Sequence, residues 1–320
     1  MISVSILLAT LVVAFSNGAN ANFKGVASLY GSGSTTYQAA VRWATFTTAA
    51  GCITALVLAK HLLIAFSGRG LVPDQLASQP LFLLSVAIGA AVTGGIATAL
   101  GFPVSTTHAL VGALVGAGLT ANPAGVAWPH LWSTFAKPLT LGPLIALLVG
   151  SGVYKLVSLF GILDHQRSRA VDVFHFLSSG AVCYSRGLND APKMAALLVA
   201  IPSLGGTWGI GLVTAAMALG GLISAARVAD TLAHKITDMT PPQGLVANLS
   251  TAVLTISGSL YGLPLSTTHV SVGALLGIGV ATQQARWKTA IPVLLAWLIT
   301  LPCAALSASV AYRLITAVSP

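Results

Sequence analysis

The sequence predicts an all-α polytopic membrane protein built from two related halves, each holding a discontinuous helix and a Ser-Thr-Thr-His helix start. Three observations lead there. Of 320 residues, 55% are hydrophobic and 7% charged, whereas a soluble domain carries roughly 25% charged residues. Apolar stretches approaching the roughly 20 residues of a spanning helix recur, without the alternation of barrel strands. The segment GFPVSTTHALVGALVGAG, from Gly101 to Gly118, returns as GLPLSTTHVSVGALLGIG, from Gly262 to Gly279, with twelve of eighteen positions identical.

Taken in order, the first half opens with a helix over residues 2–15 that reaches the polar, glycine-containing stretch Ser16-Asn17-Gly18-Ala19-Asn20. This stretch is read as a break in mid-membrane sequence. A span over 37–66, a polar loop over 67–80 and a span over 81–100 follow. Next come the first Ser-Thr-Thr-His motif with its glycine-rich helix, then a long span over 131–160. The hydrophilic run Asp164-His165-Gln166-Arg167-Ser168-Arg169 marks the midpoint, so the chain divides into a first repeat over 1–161, a central loop over 162–171 and a second repeat over 172–320.

The second half repeats the order of parts. Residues 171–184 lead into a break at Ser185-Arg186-Gly187-Leu188-Asn189-Asp190, spans cover 205–226 and 244–260 around a polar loop over 229–243, and a last span covers 290–316. The stretch from Gly18 to Lys24 aligns without gaps to the stretch from Gly187 to Lys193, with glycine, asparagine and lysine at the same offsets. Asparagine and lysine are four apart, which places them on one face wherever the segment is helical. Paired broken helices are the sequence sign of a repeat-built secondary transporter. Ala19-Asn20-Ala21 also has the small-x-small shape of a signal-peptidase site. No basic region precedes it, however, and it falls inside the repeated motif.

The formal net charge of +9 is mostly a property of polar breaks, carried by residues such as Arg167, Arg169, Arg227, Lys235, Arg286 and Lys288. Dispersed charges without a soluble domain speak against nucleic-acid binding. All six acidic residues are aspartates, at positions 74, 164, 172, 190, 230 and 238. Cys52, Cys183 and Cys303 are widely spaced among apolar residues, so neither a metal cluster nor a disulfide framework is indicated. No common hydrolase, nucleotide-binding or dinucleotide motif occurs, and no serine-histidine-acid set is recognisable, so an enzyme is not expected.

Four consecutive polar residues are costly beside hydrocarbon, so their setting is a protein-lined cavity. In Gly-x-Pro-x-Ser-Thr-Thr-His, proline shapes the approach and serine or threonine caps the first helical turn. The free N–H groups of that turn, with the hydroxyls, form a donor-rich pocket suited to a tetrahedral oxyanion. The plainer alternative is a capped helix start whose hydroxyls bond back to the backbone. His108 and His269 are either proton carriers or neutral residues that fix the turn. Asp190, a carboxylate inside apolar sequence, is costly enough to be functional, as a cation ligand, a proton acceptor or an acceptor for a protonated substrate. Lys24 and Lys193 either offset anion charge or pair locally.

These motifs, Asn17-Gly18-Ala19-Asn20, the stretch from Gly187 to Lys193 and both Ser-Thr-Thr-His segments, resemble the inorganic phosphate transporter (PiT) family, with a prokaryotic-type phosphate permease as the nearest kind. The resemblance covers nearly the whole chain. It implies two inverted-topology repeats with phosphate held between them, and uptake by alternating access coupled to sodium ions or protons, with no further cofactor. It also implies a multi-pass protein of the bacterial inner (plasma) membrane, surrounded by lipid, for which a homodimer is an open assembly. Carried over to this chain, Ser105, Thr106, Thr107, Ser266, Thr267, Thr268, Asn20, Asn189 and Asp190 would bind substrate. Asn20, Asn189 and Asp190 would also serve the cation, with Thr47 and Asn248 standing where eukaryotic relatives carry glutamates. Lys24, Lys193, His108 and His269 are secondary candidates.

One departure matters: the first-half motif of the family reads Gly-x-Asn-Asp, and here Ala21 stands where that aspartate belongs. Coupling is therefore not inherited with the motif, and an aspartate introduced at position 21 is expected to raise cation-driven uptake. The family also has a sulphate permease branch. Phosphate near neutral pH can donate a proton to a carboxylate whereas sulphate cannot, so Asp190 favours phosphate. A sulphate permease of the same fold and an uncoupled, channel-like anion pathway are the alternatives.

Overall fold

The computed structural model describes residues 2–161, 168–204, 206–236 and 239–318, and among them the chain is helical without a strand ladder. Asp164, His165, Gln166 and Arg167 of the predicted central loop, and Asp238, lie outside the described residues. The first half contains α1 (Ile2–Ala21), α2 (Ala27–Gly31), α3 (Tyr37–Leu58), α4 (Lys60–Phe66), α5 (Asp74–Ala77), α6 (Pro80–Ala99), α7 (Thr106–Ala121), α8 (Trp128–His130) and α9 (Lys137–Leu159). A wider π turn, Leu131–Ala136, joins α8 to α9. The second half contains α10 (Arg169–Ala195), α11 (Thr207–Ser224), α12 (Ala226–Asp230), α13 (Pro241–Leu260), α14 (Thr267–Ala281) and α15 (Trp287–Val318).

Among the described residues, six stretches are long and apolar enough to cross a membrane: Ile2–Ala21, Tyr37–Leu58, Pro80–Ala99, Trp128–Leu159, Thr207–Ser224 and Trp287–Val318. Their outward faces carry exposed side chains such as Ile53, Val57, Leu148, Leu298 and Leu306, as a bilayer requires. The helices α7 and α14 have 16 and 15 residues. At 1.5 Å per residue each covers about 24 Å or less, short of the roughly 30 Å hydrocarbon layer. Two expected stretches divide. The predicted span over 37–66 breaks at Ala59 between α3 and α4. The predicted loop over 67–80 contains the short α5.

The two expected helix breaks lie elsewhere. Both α1 and α10 run without interruption through their motifs, to Ala21 and Ala195, and the chain leaves the helix only afterwards, in turns at 22–26 and in a tight turn at Ala196–Leu198. The motif glycines serve close approach instead. A Cβ on Gly18 would sit 2.0 Å from the carbonyl oxygen of Met217 on α11, and one on Gly187 would sit 2.1 Å from that of Thr48 on α3. Gly220 of α11 faces the Phe15 carbonyl and Gly51 of α3 faces the Tyr184 carbonyl in return. Each half therefore lends its first helix to the other half: α1 crosses α11, and α10 crosses α3. The same exchange recurs around the short helices, with Gly112 and Gly116 of α7 against α15, and Gly273 and Gly277 of α14 against α9. The halves form one interlocked body around their motifs.

Candidate functional site

Each Ser-Thr-Thr-His motif begins a helix as the sequence predicts. Ser105 caps α7, accepting from the His108 N–H at 3.1 Å, and Ser266 caps α14, accepting from the His269 N–H at 3.2 Å. These serines thus perform the local capping role, which costs about 1 kcal/mol to remove. The threonines reach across the halves. Thr107 donates to the Leu265 carbonyl at 3.2 Å and Thr268 donates to the Val104 carbonyl at 2.8 Å, so the two helix starts are stitched together through hydroxyls placed at equivalent positions.

The lysines complete the exchange. Lys193 donates to Thr107 at 2.8 Å and to the Leu265 carbonyl at 2.8 Å, and also to Asn189. Lys24 donates to Thr268 and, at 3.5 Å, to the Val104 carbonyl. The expected shared face of asparagine and lysine therefore holds in the second half, where both lie on α10. It fails in the first, where Lys24 lies in the turn beyond α1. Asn20 turns the other way, donating to Thr98 at 3.1 Å and to the Phe102 carbonyl at 2.8 Å while accepting from the Val104 N–H at 3.0 Å. It braces the approach to α7 just as Asn189, which donates to Ser259 at 2.8 Å, braces α10 against α13.

Asp190 is not an isolated carboxylate. It pairs with Lys193 at 3.3 Å and with Arg186 at 3.8 Å, and accepts from Asn17 at 3.1 Å and from Thr267 at 3.4 Å. Asn17 also donates to Thr106 at 2.9 Å, so the middle threonines of both motifs connect to one carboxylate–amide pair. Arg186 is a candidate functional position that the sequence motifs alone do not mark. Its signal was present, as a charge four residues before Asp190 inside an apolar helix.

Lys24, Arg186, Lys193 and Asp190 are 4%, 1%, 0% and 3% exposed. Three basic groups gather around one carboxylate in a buried centre lined by hydroxyls. Burying unbalanced charge is expensive, a cost that a bound anion would offset, and the first turns of α7 and α14 add N–H dipoles that favour one. Toward the outside the centre is closed down to a cleft of about 10 Å³, too narrow for an oxyanion. A cavity of about 400 Å³ lined by Ser16, Thr98, Ile223 and Arg227 shares Ser16 with a cleft that reaches Asn17, Asn20 and Thr106.

The remaining candidates are placed as follows. Thr47 donates to the Trp43 carbonyl of its own helix at 2.8 Å, and Asn248 accepts from Ser28 at 3.3 Å, beside a hydrogen bond of 2.9 Å between Ser28 and His175. No hydrogen bond links either to Asp190 among the described residues. The rings of His108 and His269 stand 4.4 Å apart, and His269 stacks on Trp297 at 3.8 Å. It is the backbone N–H of each histidine, not its ring, that fixes the turn. Among the described residues there is no group of three or more His, Cys, Asp or Glu side chains that could hold a metal ion.

Fold and site together define a polytopic helical membrane protein whose interlocked halves meet at a buried, cationic, hydroxyl-lined centre. The sequence profile of the phosphate transporter family matches residues 17–174 and again 162–308. A probable low-affinity inorganic phosphate transporter of Rhizobium meliloti (strain 1021) is 32% identical over 97% of this chain and 95% of its own. One from Bacillus subtilis (strain 168) is 30% identical over 75% of this chain and 76% of its own. Among solved structures, "The sodium-dependent phosphate transporter" superposes with a TM-score of 0.87 at 23% identity, covering 99% of both chains. The chain belongs to the phosphate transporter family, and its relatives are transporters, not enzymes.

Proposed function

We propose that the protein is a secondary transporter that carries inorganic phosphate across the membrane by alternating access, driven by a gradient of a small cation, sodium or proton. The carrying observation is the reciprocal exchange of lysines: Lys193 reaches Thr107 of the first half, and Lys24 reaches Thr268 of the second. Phosphate would sit where these two hydroxyl and ammonium pairs converge, with the first turns of α7 and α14 around it. Rocking of one half against the other would then remake the contacts of both pairs at once.

The halves are inverted repeats in this reading, supported by the matching pairs of swapped helices. The cavity beside Ser16 would be the outer part of the access route, shut off in the conformation described by the narrow cleft at Asn17, Asn20 and Thr106, and the bacterial inner membrane would be the setting. Asp190, held by two cations, would favour a substrate that brings its own proton, hence phosphate over sulphate. The test is uptake of radiolabelled phosphate and sulphate into proteoliposomes under separately imposed sodium and proton gradients. Saturable phosphate uptake that exceeds sulphate uptake is expected. Equal uptake of both ions would remove the substrate assignment, and non-saturable flux independent of every gradient would replace the transporter by a channel-like pathway.

A further inference from the structure

Arg186 has an unusual set of partners for a guanidinium deep in a helical bundle. Its Nη2 donates to the backbone oxygen of Asn17 at 3.1 Å and to the Asn17 side-chain oxygen at 2.6 Å, and its Nη1 donates to Asn22 Oδ1 at 3.3 Å and Thr48 Oγ1 at 3.2 Å. Its Nε faces Asp190 Oδ2 at 3.8 Å. A peptide oxygen, two amide oxygens, a hydroxyl and a carboxylate converging from α1, α3, α10 and the turn after α1 are the ligand set of a hard cation. We propose that Arg186 is a tethered cation filling an oxygen-lined seat beside the substrate centre, so that this transporter does not use sodium there and moves phosphate without requiring it. The inference rests on the transport reading above and sharpens it by choosing between its two coupling ions.

The repeat supplies an independent observation. At the same offset of 169 residues that relates Gly18 to Gly187, Asn17 corresponds to Arg186, Ala21 to Asp190, Asn22 to Ala191 and Thr48 to Met217. The correspondence of Thr48 and Met217 is structural as well, since their carbonyls receive Gly187 and Gly18 in the two helix crossings. The mirrored seat has therefore exchanged its carboxylate, its second amide and its hydroxyl for Ala21, Ala191 and Met217. One seat holds a permanent charge and the other has lost its side-chain oxygens, so neither is made for an exchangeable sodium ion.

Two measurements on the purified full chain decide the matter. In detergent without phosphate, thermal unfolding is compared in sodium chloride and choline chloride at equal ionic strength, for the wild type, Arg186→Gln and Arg186→Lys. The midpoint of the wild type and of Arg186→Lys is expected not to respond to sodium, whereas Arg186→Gln rises saturably with it. In proteoliposomes, phosphate uptake by the wild type is expected to be equal in sodium and choline, and Arg186→Gln to run about tenfold faster in sodium, an ordinary coupling factor. A wild-type midpoint or uptake that rises saturably with sodium overturns the proposal, and needs no variant to fold. So does an Arg186→Gln protein that folds but answers sodium in neither measurement. Should the wild type carry no phosphate, the transport reading fails while the unfolding comparison still judges Arg186.

Discussion

The ammonium group of Lys193 lies 2.8 Å from the hydroxyl of Thr107, and that hydroxyl donates in turn to the Leu265 carbonyl at 3.2 Å, back in the half from which Lys193 comes. The hydrogen-bonded loop thus crosses between the repeats and returns. Its counterpart runs from Lys24 through Thr268 to Val104. Relative movement of the two helix starts must break both loops, and an anion accepting from both lysines would favour the closed arrangement, in which each hydroxyl already gives its one proton to a carbonyl.

The first prediction concerns those lysines. Hydrogen bonds to charged groups contribute about 1.5–3 kcal/mol each, so Lys24→Gln and Lys193→Gln should each raise the KM for phosphate uptake roughly tenfold to hundredfold. Initial rates in proteoliposomes over a range of phosphate concentrations check this. An unchanged KM in both variants would mean that the ammonium groups only pair locally.

The second concerns Asp190. Its removal leaves Arg186 and Lys193 facing one another without the carboxylate that joins them, and losing one partner of a buried pair costs about 3–5 kcal/mol. Asp190→Asn should therefore unfold at a lower temperature than the wild type, with added phosphate recovering part of the loss by binding the uncovered cations. Thermal unfolding with and without phosphate checks both statements. A variant as stable as the wild type would show that the pair carries no net stability.

The third concerns the helix crossings. Gly18→Ala and Gly187→Ala each drive a Cβ to within about 2 Å of a backbone oxygen on the crossing helix, a clash that side-chain rotation cannot relieve, and overpacking costs about 1–3 kcal/mol or more. Gly211→Ala on the same α11 meets no atom within 4 Å and should be neutral or slightly stabilising, since alanine is the better helix former. Monodispersity and thermal unfolding of the three variants give the comparison.

These crossings also mark where the sequence could and could not be read. The spanning helices and both helix starts were legible because hydrocarbon-length apolar runs and a duplicated polar octet need no tertiary information. The glycines at positions 18 and 187 resemble breaks in the sequence because a polar, glycine-containing stretch looks alike whether it ends a helix or admits a neighbour, and the neighbour is about 200 residues away for Gly18 and about 140 for Gly187. The exchange of lysines was hidden for the same reason: a repeat shows that two motifs are equivalent, not that each completes the other. Thr47 and Asn248 came from family correspondence alone, and their side chains settle on the Trp43 carbonyl and on Ser28.

The last prediction concerns Ala21, fully buried at the end of α1. It corresponds to Asp190, as Met217 corresponds to Thr48, so the mirrored seat lacks its carboxylate and its hydroxyl. Ala21→Asp restores the first, and Ala21→Asp combined with Met217→Thr restores both. A buried carboxylate is costly until it is paired; Lys24, three residues on, is already committed to Thr268 and the Val104 carbonyl, so an exchangeable cation entering from solution is the partner that disturbs the fewest contacts. The ratio of phosphate uptake in sodium to that in choline should therefore rise above unity in the single variant and further in the double one. Asparagine at position 21, of similar size but uncharged, should leave the ratio where it is. If the ratio stays at unity in all three, the mirrored positions are not the remains of a cation seat, and the charge asymmetry between the halves has another origin.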